Sequence, residues 1–231
     1  FMPSREQLHK YQDRMINFIY TTPKCALWAG LGLGKTITTL TAIVDLIDSM
    51  TVSKVLIVAP LRVANSVWHK EAANWQHTKH LKFSIVTGSE KERLGALHKT
   101  VDIYVINREN VHWIVDHYAK KWPFDMIVLD EASSFKSSSS QRFKSLRKTI
   151  PFTNRLVELT GTPSPNGLLD IWSQMYLLDC GERLGRSMTA YKQRFFEAGY
   201  NGYSFKPVKS ADKIIHKLID DIVISLNVDD Y

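Results

Sequence analysis

Cysteine is scarce in this chain, with two in 231 residues, Cys25 and Cys180. They lie far apart and form no C-x-x-C pair, so neither a structural zinc site nor a disulfide framework is expected. Each sits in mainly apolar sequence, the setting of a reduced thiol. Long apolar runs are lacking as well. Without a stretch of about eighteen apolar residues, no transmembrane helix is expected. The first residues, FMPSREQLHKYQDR, are charged and amphipathic rather than of signal-peptide type. The expectation is a cytoplasmic, intracellular monomer with no membrane partner. Internal repeats are absent, and the one low-complexity stretch, Ser137 to Ser140, reads as a loop tip.

Apolar residues make up 44% of the chain, enough to build a core at this length. The net charge is +7. A basic balance suits a polyanionic partner such as nucleic acid, because each phosphate contact releases counterions. Charge alone does not identify that partner.

Helical and extended patterns alternate along the chain. Arg5 to Tyr20 reads as an amphipathic helix with Leu8, Tyr11, Met15 and Ile19 on one face. Short apolar strands are expected at Cys25–Ala29, Val55–Ala59, Phe83–Val86, Ile103–Ile106, Met126–Leu129 and Leu156–Leu159. Between them come helices at about Lys35–Met50, Glu90–His98, Glu109–Lys120 and Arg142–Lys148, and one bearing Trp68 and Trp75, seven apart on a single face and read as core. Strands without polar alternation, separated by helices, imply an α/β domain with a mainly parallel sheet covered on both faces. Right-handed crossovers bring the loops after the strands to one edge, where open α/β sheets bind ligands. Leu168–Leu178 reads as a further helix, and an aromatic-rich stretch runs from Tyr191 to Phe205. The whole of 1–231 is expected to form one lobe, with 179–210 as a small appended segment.

Three motifs fall on that edge. The segment AGLGLGKT, Ala29 to Thr36, lies between a strand and a helix. Glycines there turn backbone N–H groups inward toward a triphosphate, and the helix N-terminus faces the same charge. Leu31, Gly32, Leu33 and Gly34 form the cradle, Lys35 pairs with β/γ-phosphate oxygens, and the Thr36 hydroxyl ligates Mg²⁺. Ala29 stands where the strict P-loop pattern has glycine. The segment MIVLDEAS ends a strand in two carboxylates. Asp130 suits a Mg²⁺ site and Glu131 suits orientation or deprotonation of an attacking water. In LTGTPSPN, the hydroxyls of Thr160 and Thr162, flanking Gly161, suit a link from the γ-phosphate region to a second face. ATP and Mg²⁺ are therefore the expected ligands.

The order Y-Q, GLGKT, LIVAPLRVANSVWHKE, DEA and LTGTPxxN resembles the first RecA-like lobe of Swi/Snf-type ATPases in helicase superfamily two, over about Leu8 to Leu178. The resemblance implies a P-loop domain of a DNA-dependent helicase or duplex DNA translocase. It makes Gln12 an adenine-reading amide, with Tyr11 or Arg14 nearby, since an amide pairs with both the amino group and a ring nitrogen of adenine. It gives Ser133 a coupling position, although Ser133 stands where the family's box commonly has histidine. The family's usual acidic loop is here Trp28-Ala29-Gly30-Leu31. It also implies nucleic-acid contacts at Pro60, Leu61 and Arg62, with Thr87, Gly88, Asn107 and Arg108 at equivalent strand ends. The basic run Lys136, Arg142, Lys144, Arg147 and Lys148 is either a solvated helix face or a further DNA contact.

Two other readings compete. A P-loop kinase would need a phosphoryl-acceptor pocket and an arginine-bearing lid, against which the DEA and LTGTP segments speak. A non-catalytic nucleic-acid-binding module would not need Lys35, Thr36, Asp130 and Glu131 intact. Motors of the resembling class close two lobes over ATP, and the stretch after Asn166 is too short for a second lobe of about 150 residues. A C-terminal RecA-like lobe is therefore expected as a missing partner, with Arg183 and Arg186 in GERLGR not matching its Q-x-x-G-R-x-x-R motif.

Overall fold

A computed structural model describes residues 1–227 of the chain, and 228–231 of the expected lobe lie outside the described residues. The strands are β1 (Lys24–Ala29), β2 (Val55–Ala59), β3 (Phe83–Val86), β4 (Ile103–Asn107), β5 (Met126–Asp130), β6 (Arg155–Thr160), β7 (Phe196–Ala198), β8 (Phe205–Pro207) and β9 (Val223–Leu226). The helices are α1 (Lys10–Thr21), α2 (Lys35–Asp48), α3 (Leu61–Ser66), α4 (Trp68–Ala73), α5 (Glu90–Leu97), α6 (Val111–Tyr118), α7 (Gln141–Arg147), α8 (Ile171–Asp179), α9 (Met188–Phe195) and α10 (Ala211–Ile219).

Seven strands form one sheet in the order β3-β4-β2-β5-β6-β1-β9. Every pairing in it is parallel. The expected architecture is therefore present. Strand residues divide by parity between two apolar layers: Leu56, Ile127 and Leu129 join the one that includes Trp172 and Phe143. Ile57, Val128 and Leu159 join the one that includes Met15, Leu40 and Trp68. Burial on both faces explains why the strands read as continuous apolar runs. Among the described residues no helix is long and apolar enough to cross a membrane.

Four local expectations are corrected. The first helix does not run unbroken from Arg5: a 3₁₀ turn at Arg5–Gln7 ends at an extended Leu8, and α1 starts at Lys10. Leu8 still reaches the core, but from ahead of the helix. The segment expected as one helix bearing both tryptophans is two short helices, α3 and α4, that meet at Val67. Trp75 lies beyond the end of α4 and is half-buried, whereas Trp68 is fully buried. The expected helix Glu109–Lys120 shortens to α6, with 3₁₀ turns before and after it. Cys180, expected in apolar surroundings, is exposed, while Cys25 is buried and its thiol is pushed up to about 12 by burial.

The appended segment adds α9 and a two-stranded antiparallel hairpin of β7 and β8. The chain then returns through α10 to β9, which pairs with β1 along Ala26–Ala29. Residues after 210 thus complete the main sheet.

Among the described buried polar residues of the strands, Glu158 is the one carboxylate. Glu158 of β6 is 1% exposed, and neither carboxyl oxygen has a hydrogen-bond partner among the described residues. Burial, reinforced by the nearby Asp179 charge, raises its pKa well above the ordinary value. A raised folded pKa means that the folded state holds the proton more tightly than the unfolded chain. Its stabilising contribution is complete below the unfolded value and is lost as pH rises through the folded one. Glu158→Gln is therefore expected to match the parent's melting temperature in acid and exceed it at pH 8. The difference in melting temperature is expected to open as pH rises from acid to pH 8. Thermal melts across pH check this; parallel Tm–pH curves for the two proteins would contradict it.

Candidate functional site

The parallel sheet delivers the motifs to one edge because every strand points its carboxyl end the same way. After β1 the chain enters the glycine loop, in which Gly32 has φ 83° and Gly34 has φ 70°. A side chain disfavours that left-handed backbone, so glycine is the residue that lets the loop fold back over the start of α2. Gly34 has a second reason: a Cβ there would lie 2.5 Å from Nε2 of Gln12. Leu33 is buried beneath the loop, while Leu31 projects at 90% exposure.

Lys35 opens α2. Its ammonium donates to the carbonyl of Ala29 and, at 3.4 Å, to that of Gly30. Burial lowers its pKa, opposed by the charges of Glu131 and Asp130. These influences place the amine of residue 35 and both carboxylates in one electrostatic neighbourhood. Lys35, Thr36, Asp130 and Glu131 line the same open cleft of about 570 Å³, with the glycine loop as its floor.

Asp130 ends β5. Its Oδ2 accepts a hydrogen bond from the indole Nε1 of Trp68 at 2.9 Å. Burial raises the Asp130 pKa; the Trp68 bond opposes the rise, Glu131 adds to it and Lys35 opposes it. Trp68, read from the sequence as core alone, is thus also the partner that holds this carboxylate. A donor 62 residues away leaves no local signal in the sequence. Glu131 follows in the left-handed region with φ 65°, an uncommon conformation for a residue with a side chain. Its carbonyl accepts from the Ser134 backbone N–H at 3.0 Å and from the Ser134 hydroxyl at 2.9 Å.

The end of β6 closes the site. Thr160 Oγ1 donates to Glu131 Oε2 at 3.4 Å and accepts the Thr162 backbone N–H at 3.0 Å. A Cβ on Gly161 would stand 3.4 Å from the Ala29 carbonyl and 3.8 Å from Lys35 Nζ, so this loop rests beside the glycine loop. Gln174 of α8 holds it from behind by donating to the Pro163 carbonyl at 2.7 Å. Ser133 lies in the short 3₁₀ turn after Glu131, half-buried, with its carbonyl capping Lys136. Gln12 lies against the glycine loop. Its Nε2 donates to the Gly34 carbonyl and to Thr38 Oγ1, each at 3.4 Å, and its Oε1 accepts the His9 backbone N–H at 2.9 Å. Tyr11 stacks on His9 one residue before it, and Arg14 is exposed on the same helix.

The remaining candidates separate into two groups. Pro60 and Arg62, expected on a nucleic-acid face, line the cleft opposite the glycine loop. Leu61 between them is 49% exposed. Thr87 donates to Asn65 at 2.7 Å, and Gly88 turns with φ 89°. Asn107 does not offer its side chain to a ligand: it is buried, donates to Glu109 at 3.1 Å and accepts from Asn110 at 2.8 Å. Arg108 is paired with Glu109 at 3.3 Å, a carboxylate that Arg142 also approaches at 3.4 Å. Arg147 of the basic run covers the Tyr176 ring at 4.5 Å, while Lys144 and Lys148 are exposed. Arg183 bridges Asp179 and Asp221 and is structural.

Among the described residues no cluster of three or more His, Cys, Asp or Glu side chains is built to hold a metal. One hydroxyl and one carboxylate facing a phosphate cradle fit Mg²⁺, which keeps waters and takes substrate oxygens rather than an all-protein cage.

The chain is similar to several known proteins. The model of the SNF2-related domain family matches residues 11–220. A putative protein p41 of Acyrthosiphon pisum secondary endosymbiont phage 1 is 38% identical over 96% of this chain and 50% of its own length. The mouse DNA excision repair protein ERCC-6-like is 30% identical over 80% of this chain and 16% of its own. The Sulfolobus solfataricus SWI2/SNF2 ATPase core, solved in complex with dsDNA, superposes with a TM-score of 0.77 at 23% identity. It covers 96% of this chain and 44% of that one. The chain thus spans half or less of the length of these relatives.

The Trp68–Asp130 bond yields a direct test. Trp68→Phe keeps an aromatic ring and removes the donor, at a cost of roughly 1.5–3 kcal/mol for a bond to a charged acceptor. Without that N–H the Asp130 pKa rises further, so the carboxylate protonates at higher pH. Titrations with Mg²⁺–nucleotide from pH 5 to 8 are expected to show affinity failing at a higher pH than in the parent. Superimposable pH profiles would contradict the assigned role of the indole.

Proposed function

Because the chain belongs to the SNF2-related domain family, we propose that it is the ATP-binding lobe of a DNA-dependent ATPase that moves along duplex DNA. The observation that carries this reading is the shared cleft of Lys35, Thr36, Asp130 and Glu131. In it the turned amides of Gly32 and Gly34 and the N-terminus of α2 meet the phosphates, and Lys35 neutralises their terminal oxygens. Thr36 and Asp130 would hold Mg²⁺, which would supply neutralisation of phosphate charge. Glu131, whose carboxylate accepts from Thr160, orients a water in line with the terminal phosphate. Gln12 sits where its amide meets adenine after exchanging its present bond to Thr38.

The contact of Thr160 with Glu131 supports a coupling role. Loss or gain of charge beside Glu131 alters that bond, and with it the Gly161–Thr162 loop on the sheet edge. The nucleic-acid face is assigned to the ends of β2, β4 and β3, with Leu61, Arg62, Thr87, Gly88 and Arg108; Asn107 acts only as scaffolding for that edge. The Sulfolobus relative was solved in complex with dsDNA, and the basic charge of this chain suits the same partner. An intracellular monomer that works with a second RecA-like lobe completes the proposal. The greater length of the relatives supports the lobe.

Arginines of a partner lobe contribute about 10³–10⁵ in rate where they act on phosphoryl transfer. The chain is therefore expected to bind Mg²⁺–ATP and hydrolyse it very slowly alone. Nucleotide binding and phosphate release are measured with and without duplex DNA, beside Lys35→Ala. That substitution is expected to weaken binding by at least about tenfold, the loss of a charge-assisted phosphate contact. Unchanged affinity in Lys35→Ala would sink the nucleotide site. Fast DNA-stimulated turnover by the chain alone would sink the dependence on a second lobe.

A further inference from the structure

The hairpin of β7 and β8 plays no part in the nucleotide cleft, yet its tip is built with care. Asn201 Oδ1 accepts the backbone N–H groups of Tyr203 and Ser204, each at 3.0 Å, and the Ser204 hydroxyl at 3.1 Å. Gly199 N–H donates to the Ser204 carbonyl at 2.8 Å, and Gly202 takes φ 71°. The root is equally fixed, because Phe195 and Phe196 are buried against Tyr191 and the Tyr191 hydroxyl donates to Leu168 at 2.7 Å. On this ordered tip stand Tyr200 at 114% and Tyr203 at 90% exposure. Neither ring belongs to an apolar layer of the core. Cations surround them in sequence: between 192 and 213 there are five Lys or Arg against two carboxylates, and Lys206 and Lys209 are exposed.

We propose that this hairpin is a second nucleic-acid contact, in which Tyr200 and Tyr203 stack on unpaired bases while Lys206 and Lys209 meet the adjoining phosphates. The assignment rests on the nucleic-acid reading above and extends it to the strand type engaged. Stacking needs an open aromatic face and no sequence-reading group, which two fully projecting phenol rings supply. Paired bases in a duplex hide their faces from such rings, and duplex phosphates need only the lysines. The cationic surroundings favour a polyanion over an apolar protein groove. A tip already held by its own hydrogen bonds loses little freedom on binding. The ligand class is therefore DNA with unpaired bases beside a duplex, as at a fork or junction.

Anisotropy titrations of the chain against a labelled fully paired duplex and a forked duplex with unpaired thymidine tails test this. The double variant Tyr200→Ala/Tyr203→Ala is expected to lose about tenfold per ring on the fork and nothing on the paired duplex. Tyr200→Phe/Tyr203→Phe keeps the ring faces and is expected to bind the fork as the parent does. Lys206→Ala/Lys209→Ala is expected to weaken both DNAs and to reduce the salt dependence by about one phosphate contact per lysine. Duplex binding by the parent with unchanged fork affinity in the alanine variant overturns the hairpin assignment alone and leaves the rings to a protein partner. Equal losses on both DNAs overturn base stacking. A parent that binds nucleotide but neither DNA overturns the hairpin assignment together with the DNA reading.

Discussion

Parallel pairing of β1, β6 and β5, side by side in the middle of the molecule, is the constraint on which the site depends. Trp28 lies in register with Thr160, and Leu159 with Asp130, so three loops leave the sheet at the same level. The glycine loop, the acidic pair and the threonine loop therefore meet without any long excursion of the chain. Burial of these strands on both faces fixes the register, because a slip of one residue would turn every apolar side chain to the wrong layer. Glu158 is the one buried carboxyl within this frame, sealed between apolar layers two residues before Thr160.

The same sheet separates two tasks. The candidate phosphate-binding residues fall on the ends of β1, β6 and β5, and the candidate nucleic-acid residues fall on β2, β4 and β3. The α3–α4 segment after β2 joins them: Pro60 and Arg62 border the cleft, and Trp68 reaches the Asp130 carboxylate from the other side of Val67. Movement of that segment by a bound polyanion would act directly on Asp130. Thr160 provides a parallel route through Glu131. Both routes run over single hydrogen bonds, which suits an arrangement that must alternate between states at low cost.

Much of this was legible in the residues. Six strands stood out as apolar runs, and the glycine loop and DEA box announced themselves because phosphate and metal chemistry needs particular side chains at fixed spacing. What the sequence withheld was long-range or competitive. Trp68 looked like core because its bulk is core; only its N–H points at Asp130. Asn107 looked like a nucleic-acid contact at a strand end, but Glu109 and Asn110, two and three residues on, capture its side chain first. The first helix starts late because the Arg5–Gln7 turn closes on its own cap. Trp75 kept the helical spacing from Trp68, although the helix ends before it.

Lys35 and Asp130 are proposed to converge upon one metal–triphosphate. A double-mutant cycle measures that directly, by Mg²⁺–nucleotide affinities of the parent, Lys35→Ala, Asp130→Ala and the pair. Groups sharing one ligand are expected to couple by about 0.5–3 kcal/mol, so the double variant should lose less than the two single losses combined. Strict additivity of the two losses would contradict the shared site.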